Sequence, residues 1–458
     1  MKVFFRVLPR LIAAYFLSIR YFFTFWWYTF LRFLTGANKD TFAQSPFTLG
    51  AWCFRRMLED LGATYVKVGQ IMSTRPDILP PWMIDELVKL QDSVPPFDSK
   101  LIPAEFEKAF GRQPEEIFAE FDDKPIASAS VAQVHEAKLK SGEKVAVKIR
   151  RPGVKEKAEL DLEVMDLFAR SICFIPSIRL TSPVEAVEEF AKSIRGQLDL
   201  SNEAENNHRF HENFKDNPKV IFPKLYEDYC AENILTMEFI EGYKLADIDK
   251  TNSDPKELAR QGLRAIFQMI YIDGFVHADL HPGNLRFFDD DVVCYFDLGM
   301  VAELTDEDRE RFVESFMAMA QNDGKMVAKL MADYAPYQNI QDWDAYEKDV
   351  AEYVNTYFGK PLNEIEISVA IAKVTNTMRK HHVRADATYT VFCVAMLVAE
   401  GLGRKLYPEI DLNAELFPYL QDIFQKIMAR RAAEAKAQKS AEKPAETGAA
   451  PAASQSQA

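Results

Sequence analysis

The sequence predicts an α+β fold of two lobes, one small and strand-rich and one mostly helical, preceded by a helical extension. Three observations predict it. Apolar residues alternate with period two in only two stretches, 125–150 and 219–240. Elsewhere they recur at helical spacing, over 49–92, roughly 155–175 and 183–214, and from Pro255 onward. At 458 residues the chain exceeds one domain of usual size, and 48% apolar with 27% charged residues gives a sizeable core and excludes global disorder.

Fifty-five Lys and Arg against 69 Asp and Glu give a formal charge of −14, which argues against nucleic acid as the main partner, since that needs a basic stripe. The five cysteines (Cys53, Cys173, Cys230, Cys294, Cys393) form no C-x-x-C pair. Structural thiols in a reducing compartment are expected, with neither a disulfide framework nor a zinc site. No internal repeat is visible.

The charge is unevenly spread. Residues 1–38 hold Lys2, Arg6, Arg10, Arg20 and Arg32 and no acid, so removing those five charges from −14 leaves −19 on the remainder. Residues 1–34 also carry thirteen aromatics. The uncharged runs Leu11–Ile19 and Tyr21–Leu31 each fall short of the ~18 residues of a spanning helix, and Arg20 near mid-bilayer would cost roughly 2.5–3.5 kcal/mol. At about 100° per residue the five cations fall within an arc of roughly 120° shared by Thr24, Tyr28 and Thr35. Phe16, Phe22, Phe23, Trp26, Trp27 and Phe30 lie mostly off it. A cationic stripe beside an aromatic face is expected to lie in a lipid headgroup layer. The bland alternative is an aromatic helix packed on the protein's own core. A signal peptide fits poorly, having no small-x-small cleavage site after the apolar part. Spanning and lying flat are both compatible with the sequence.

Residues 36–48 read as a polar connector, Arg75–Pro81 interrupts the helical pattern of 49–92, and Val94-Pro95-Pro96 forms a second linker. A short helix follows at Pro103–Phe110. Strands are expected at Ala132–Leu139 and Lys144–Ile149, joined by the turn Ser141-Gly142, and again at Asn233–Phe239. The tail from about Ala432 is rich in Ala, Lys, Glu, Gln, Pro and Ser without aromatics, and is expected to be disordered. No apolar stretch near it is long enough to span a membrane. The expected division is a membrane-associated helix (1–38), a helical extension (39–124), a strand-rich lobe with inserted helices (125–240), a helical lobe (241–431) and the tail (432–458).

The chemistry is concentrated in His277-Ala-Asp279-Leu-His281-Pro-Gly283-Asn284, followed by Asp297-Leu-Gly299. Asp279 precedes Asn284 by five residues, the spacing of the H-R-D-x-x-x-x-N loop of kinases, and Asp297-Leu-Gly299 stands for D-F-G. Phosphoryl transfer needs this layout. A carboxylate on a rigid loop (Asp279) orients the attacking oxygen, and two oxygen ligands from separate loops (Asn284, Asp297) hold Mg²⁺ against ATP phosphates. Upstream, Val145-Ala-Val-Lys148 matches V-A-I-K, so Lys148 is assigned the α/β-phosphates and Glu203 is assigned to orient it. Asp279, Lys148 and Glu203 are therefore the candidate catalytic set. Ala127-Ser128-Ala129-Ser130-Val131 replaces the glycine-rich loop over the nucleotide, and the backbone of Glu238 and Phe239, after a gatekeeper Met237, is the expected adenine edge. The bland alternative makes His277 and His281 packing residues and Asp279 and Asp297 caps, which explains single residues and not the ordered set.

Three departures from ordinary protein kinases stand out: alanine and serine in the phosphate loop, Ala278 in place of the H-R-D arginine, and no A-P-E after Asp297. Control through an arginine grip on a phosphorylated loop is excluded by the second. Outside any kinase pattern lies Lys67-Val-Gly69-Gln70, where Lys67 and Gln70 share a helix face and Gly69 permits close approach of another backbone.

Together these residues resemble the ABC1/UbiB (AarF) family of atypical kinase-like proteins: the K-x-G-Q helix (Lys67, Gly69, Gln70), the alanine-rich loop (Ala127–Ala132), V-A-V-K (Val145–Lys148), E-A-x-N (Glu203, Ala204, Asn206), H-x-D-x-H-P-G-N (His277–Asn284) and D-x-G (Asp297–Gly299). The resemblance covers about residues 50–330. It implies a protein-kinase-like bilobal fold whose K-x-G-Q helices fold over the active site, with Lys67 and Gln70 regulatory and Lys67 restraining protein phosphorylation. It also implies ATP hydrolysis or small-molecule phosphotransfer at membranes, ATP and Mg²⁺ as cofactors, and a role in ubiquinone biosynthesis or prenyl-lipid homeostasis. The expected partners are a membrane lipid or prenyl-lipid/quinone precursor and lipid-biosynthesis proteins. The expected location is the cytoplasmic face of the inner membrane, held by the N-terminal segment. Two features depart from the family: its E-x-D element reads Gln197-Leu-Asp199 here, and the C-terminal spans usual in bacterial members serving ubiquinone are not seen. The rival expectations are a nucleotide-gated lipid-binding module without useful phosphotransfer, and a soluble small-molecule kinase of the aminoglycoside-phosphotransferase type.

Overall fold

A computed structural model of the chain describes residues 2–35, 46–73, 79–91, 95–174, 183–358, 364, 366–385 and 387–411, with parts of 414–429. The expected tail (432–458) and most of the connector 36–48 lie outside the described residues.

Helix α1 (Lys2–Thr35) runs 34 residues straight through Pro9. It docks on α2 (Pro46–Leu61), where Leu17, Tyr21, Phe25 and Tyr28 meet Leu49, Trp52, Cys53 and Met57. Of the cationic arc, Arg10 is turned toward the protein, while Arg20 stays mostly exposed at its edge. Arg10 binds the buried Asp161 and the Leu61 carbonyl, Arg20 reaches Asp60 at 3.3 Å, and the Tyr21 hydroxyl donates to Asp60 at 2.7 Å. Phe16, Phe22, Phe23, Trp26, Trp27 and Phe30 point outward, each more than half exposed. Val7–Leu31, 25 residues at a mean hydropathy of 1.2, is the one helix stretch among the described residues long and apolar enough to cross a membrane.

Helices α3 (Ala63–Ser73) and α4 (Pro81–Leu87) complete the extension with α2, around Leu58, Val66, Leu87 and Leu90. Gly69 sits at their contact. A methyl there would come within 2.3 Å of Leu90 Cδ1 and 2.8 Å of Leu58 Cδ1, so the close approach at this glycine is to leucine side chains and not to another backbone.

The small lobe opens with α5 (Ile102–Phe110) and α6 (Pro114–Ile117), then β1 (Phe118–Phe121), β2 (Ala127–Ser128), β3 (Ala132–Leu139) and β4 (Lys144–Arg150). Helices α7 (Val154–Ile172), α8 (Pro183–Leu198) and α9 (Leu200–Asn213), then β5 (Val220–Ile221), precede the last strand of this lobe, β6 (Ile234–Glu238). The antiparallel sheet has the order β1-β3-β4-β6, with β2 on β3. Its core packs Val145, Val147 and Ile149 with Ile102, Phe106, Phe118 and Ile234. Two features differ from the sequence reading. The strands begin at Phe118, seven residues before 125, because Phe-Ala-Glu-Phe carries no helical or strand period of its own. The helical stretch 183–214 is two helices, broken at Asp199, whose side chain caps α9 by accepting from the Ser201 N–H at 3.0 Å.

The large lobe comprises α10 (Pro255–Phe267), a π-turn (Gln268–Asp273), β7 (Phe275–His277), β8 (Leu285–Phe287), β9 (Val293–Tyr295) and β10 (Val301–Glu303). It continues through α11 (Asp306–Ala320), α12 (Gly324–Asp333), β11 (Tyr337–Gln338), α13 (Trp343–Tyr357), α14 (Ile367–Lys380), β12 (Val383–Arg384) and α15 (Ala387–Leu406). Pairs β7–β10 and β8–β9 hold the motif-dense loops between them, over a core that includes Phe210, Phe267, Phe275, Phe287 and Tyr295.

Because the α3 seat has no room for a side chain, Gly69→Ala is expected to destabilise the chain by about 1–3 kcal/mol, seen as a lower urea midpoint at unchanged slope.

Candidate active site

The period of β4 decides which way Lys148 faces. Val145, Val147 and Ile149 take the core side, so Ala146, Lys148 and Arg150 take the other. A slip of one residue in the β3–β4–β6 register would drive the lysine into the aromatic core. From that face Lys148 Nζ donates to both Glu203 oxygens, at 3.0 and 2.8 Å, and to Asp297 Oδ1 at 2.6 Å. The chain segments that meet here come from a small-lobe strand, an inserted helix and a large-lobe loop.

Burial opposes the Lys148 charge, but Asp297 and Glu203 overcome it and hold its pKa above the ordinary value. The Lys148 ammonium, against burial, holds the Asp297 carboxyl down at about 2. Burial pushes the Glu203 carboxyl up, with Lys148 pulling the other way. Asp297 has φ 58°, the left-handed region that aspartate tolerates better than most side chains. Its side chain is 43% exposed, and Oδ2 has no hydrogen-bond partner among the described residues. Gly299 lies close enough that a methyl there would sit 3.2 Å from Glu203 Oε2, so the glycine makes room for the pair.

The loop 277–284 is held by its own histidines. The buried His277 accepts from the Asp279 N–H through Nδ1 at 3.2 Å, and its Nε2 meets the Phe296 carbonyl at 3.3 Å. That assigns the neutral Nε2–H tautomer, in keeping with a pKa lowered by burial. His281 Nδ1 accepts from the Gly283 N–H at 3.0 Å. Both histidines are thus loop-holding groups, as the bland reading had it, while Asp279 stands free to point into the site. The Asn284 side-chain amide donates to the Asp279 carbonyl at 3.0 Å, which turns its Oδ1 the opposite way.

Lys67 Nζ lies 3.6 Å from Asp279 Oδ2. Gln197, where the family resemblance leads one to expect an acid, donates its amide to the Ser193 hydroxyl at 3.1 Å and takes no part in the Lys67–Asp279 pair. Gln70 donates to the Leu90 carbonyl at 3.0 Å and so staples α3 to the turn after α4. Lys67, Gln70, Ser128–Val131, Lys148, Glu203, Asp279 and Asp297 line one cavity of about 160 Å³. Ala127 lies just outside it, paired with Val134 on β3. Glu238 and Phe239 do not line it. Glu238 pairs opposite Val145, three residues or about 10 Å along the sheet from Lys148, and the Glu238 and Phe239 N–H groups donate to the Lys224 and Lys144 carbonyls.

Two residues that hold the site were not assigned from sequence. Arg151 donates to the Ala129 carbonyl, the Ser128 hydroxyl and the Pro95 carbonyl at 2.8, 2.8 and 2.6 Å, and so fixes the alanine-rich loop without glycine. Asn206 donates to the Leu298 carbonyl at 2.8 Å and so pins the Asp297 loop to α9. The E-A-x-N spacing was the available signal for Asn206, one turn beyond Glu203. For Arg151 there was none.

The donor set fits magnesium held against phosphates. Mg²⁺ takes one or two protein oxygens and fills its shell with phosphate and water, and no cluster of three or more His, Cys, Asp or Glu exists among the described residues. Asp297, from the cavity wall, would hold the metal and Lys148 the phosphates; Asn284, buried and not among the lining residues, would have to reach the metal from outside that wall. A cavity of about 150 Å³ accommodates benzene, so this one takes phosphate groups but not a whole nucleotide while α3 is seated.

Fold and site together define an atypical protein-kinase-like protein. Residues 89–331 match the ABC1 atypical kinase-like domain and residues 350–411 the UbiB helical domain. The chain belongs to the ABC1/UbiB family. A similar protein, "Probable protein kinase UbiB" of Histophilus somni (strain 129Pt), is 36% identical over 386 residues, covering 81% of this chain and 70% of that protein. The solved complex of Rv3197 with erythromycin from Mycobacterium tuberculosis aligns with a TM-score of 0.48 at 22% identity, covering 77% of this chain and 94% of that one.

Removing the cation from Asp279 is expected to lift the restraint. The restraint that the family resemblance assigns to Lys67 is tested by Lys67→Ala, for which transfer of phosphate to the chain itself, measured with radiolabelled ATP, is expected to rise above that of the wild type.

Proposed function

We propose that the chain is a membrane-associated ATPase or phosphotransferase of the UbiB type that uses Mg-ATP and serves ubiquinone biosynthesis or prenyl-lipid homeostasis. The observation that carries the catalytic part is the meeting of Lys148 and Asp297 at 2.6 Å, since side chains 149 positions apart converge where a metal-bound triphosphate needs a cation and an anion side by side. Mg-ATP supplies the transferable phosphoryl group. Lys148 receives the α/β-phosphates and Glu203 keeps its ammonium aimed. Asn284 and Asp297 hold the metal, and Asp279 orients the attacking hydroxyl or water. The loop Ala127–Val131, fixed by Arg151, covers the phosphates. The Lys67 helix withdraws to admit the nucleotide and returns Lys67 to Asp279 when it leaves.

The outward aromatic face of α1 supports the membrane part: docked through Arg10, this helix presents Phe16, Phe22, Phe23, Trp26, Trp27 and Phe30 to whatever lies outside. We place it flat in the headgroup layer on the cytoplasmic side of the cell membrane, with a prenyl lipid or quinone precursor as the substrate class and lipid-biosynthesis proteins as neighbours. The lipid class follows the family and the UbiB name of the relative.

A second reading, a nucleotide-gated lipid-binding module, draws on the seated Lys67 and the small cavity. The two separate in a deletion strain. The enzyme reading expects Asp279→Asn to fail to rescue, whereas full rescue would leave the module.

Asp297→Asn keeps a side chain that tolerates the left-handed backbone, so the fold should persist while Mg-ATP hydrolysis falls by about a hundredfold or more. Unchanged hydrolysis in the purified variant would remove the metal assignment. Replacing Trp26 and Trp27 by Ser is expected to release most of the protein from anionic liposomes in a flotation assay, with circular dichroism unchanged.

A further inference from the structure

A second cavity among the described residues is larger than the phosphate site. It encloses about 250 Å³ inside the large lobe and shares no lining residue with the cavity around Lys148. Its walls come from the end of α10, from α11 and α12, and from α13, α14 and α15. It therefore opens where the ABC1 domain, ending at 331, meets the UbiB helical domain, beginning at 350. Junctions of this kind are favoured places for small-molecule sites.

The lining is aromatic and thioether: Phe267, Phe316, Met319, Met331, Tyr357 and Met378 are representative. Interiors are packed to crystal density, and a void that stays empty forfeits the dispersion contacts of every group around it. Apolar cavities of about 150 Å³ take up benzene, so this one holds about ten heavy atoms of hydrocarbon. Methionines can repack around a chain of variable shape.

Charge occurs at three lining positions, Asp308, Arg311 and Arg384. Arg311 is bound to Glu307, lies 3.7 Å from Asp308 and stacks 4.8 Å from the Tyr334 ring. Asp308 also accepts from the Thr305 N–H in the cap of α11. Arg384, exposed on β12, has no ion-pair partner among the described residues. We infer that this cavity binds the hydrocarbon tail of an acidic single-chain amphiphile, whose carboxylate or phosphate head lies against Arg384. Fatty acids and prenyl phosphates share that chemistry.

The test uses the full purified chain and equilibrium dialysis with decanoate and geranyl phosphate, ten-carbon tails matched to the cavity, each beside its neutral counterpart, decanol and geraniol. Saturable one-to-one binding is expected, about tenfold or more tighter for the acid than for its alcohol, and whichever acid binds tighter identifies the tail. Arg384→Ala, at an exposed position, should erase the preference for the acid. Ala370→Phe, which fills the cavity from α14, should weaken acid and alcohol alike by about tenfold or more. If that variant does not fold, Ser315→Phe fills it from α11. Absence of saturable binding, equal affinity for acid and alcohol in the wild type, or binding unchanged by a folded filling variant each overturns the inference. Asp297→Asn should leave the binding unchanged, so that loss of ATP turnover and loss of amphiphile binding are read separately.

Discussion

One ammonium shared by two carboxylates from different lobes is the interaction on which the rest of this structure depends. Lys148 stands between the buried Glu203 and the half-exposed Asp297; the buried Lys148 and Glu203 would each be costly alone, and removing one partner of a buried pair typically costs about 3–5 kcal/mol. The surrounding architecture serves to bring the three tips together. The β4 register faces the lysine away from the core, the Asp199 cap starts α9 so that Glu203 falls one turn in, and Asn206 ties the Asp297 loop to the same helix. One positive charge does not neutralise two negatives. The surplus falls to Asp297, which lines the cavity and whose Oδ2 has no hydrogen-bond partner among the described residues, and that is the electrostatic condition a divalent cation relieves.

What was readable in the sequence was what local periodicity and spacing encode. Val-Ala-Val-Lys alternates with period two, so the side of the strand on which Lys148 falls is a property of four consecutive residues, and the strands stand at Ala132–Leu139 and Lys144–Arg150. The five-residue interval from Asp279 to Asn284 is likewise the length of one turn of chain, closed by the Asn284 amide on the Asp279 carbonyl. What was not readable depends on partners distant in the chain. Arg151 finds Pro95 56 positions upstream, and nothing in its neighbourhood marks it as the clamp of the alanine-rich loop. The helical wheel of α1 puts Arg10 and Arg20 on one arc, but the acids they meet lie far along the chain, at Asp161 and Asp60.

The pairing of Arg10 has a structural consequence for Lys67. The Arg10 guanidinium, held by Asp161 of α7, lies 5.6 Å from the centre of the Tyr65 ring, and Tyr65 is two residues before Lys67 on α3. Helices α1, α3 and α7 are therefore joined at one buried ion pair. With Arg10 engaged inward, the aromatic face of α1 is the outer one, and covering each of those rings is worth about 2 kcal/mol. Any body that covers the face is thus two contacts away from the helix that keeps Lys67 on Asp279. The contacts that join helix to helix are close at both ends: Asp161 is fully buried beneath Arg10, and Gly69 leaves no room between Leu58 and Leu90 at the seat of α3.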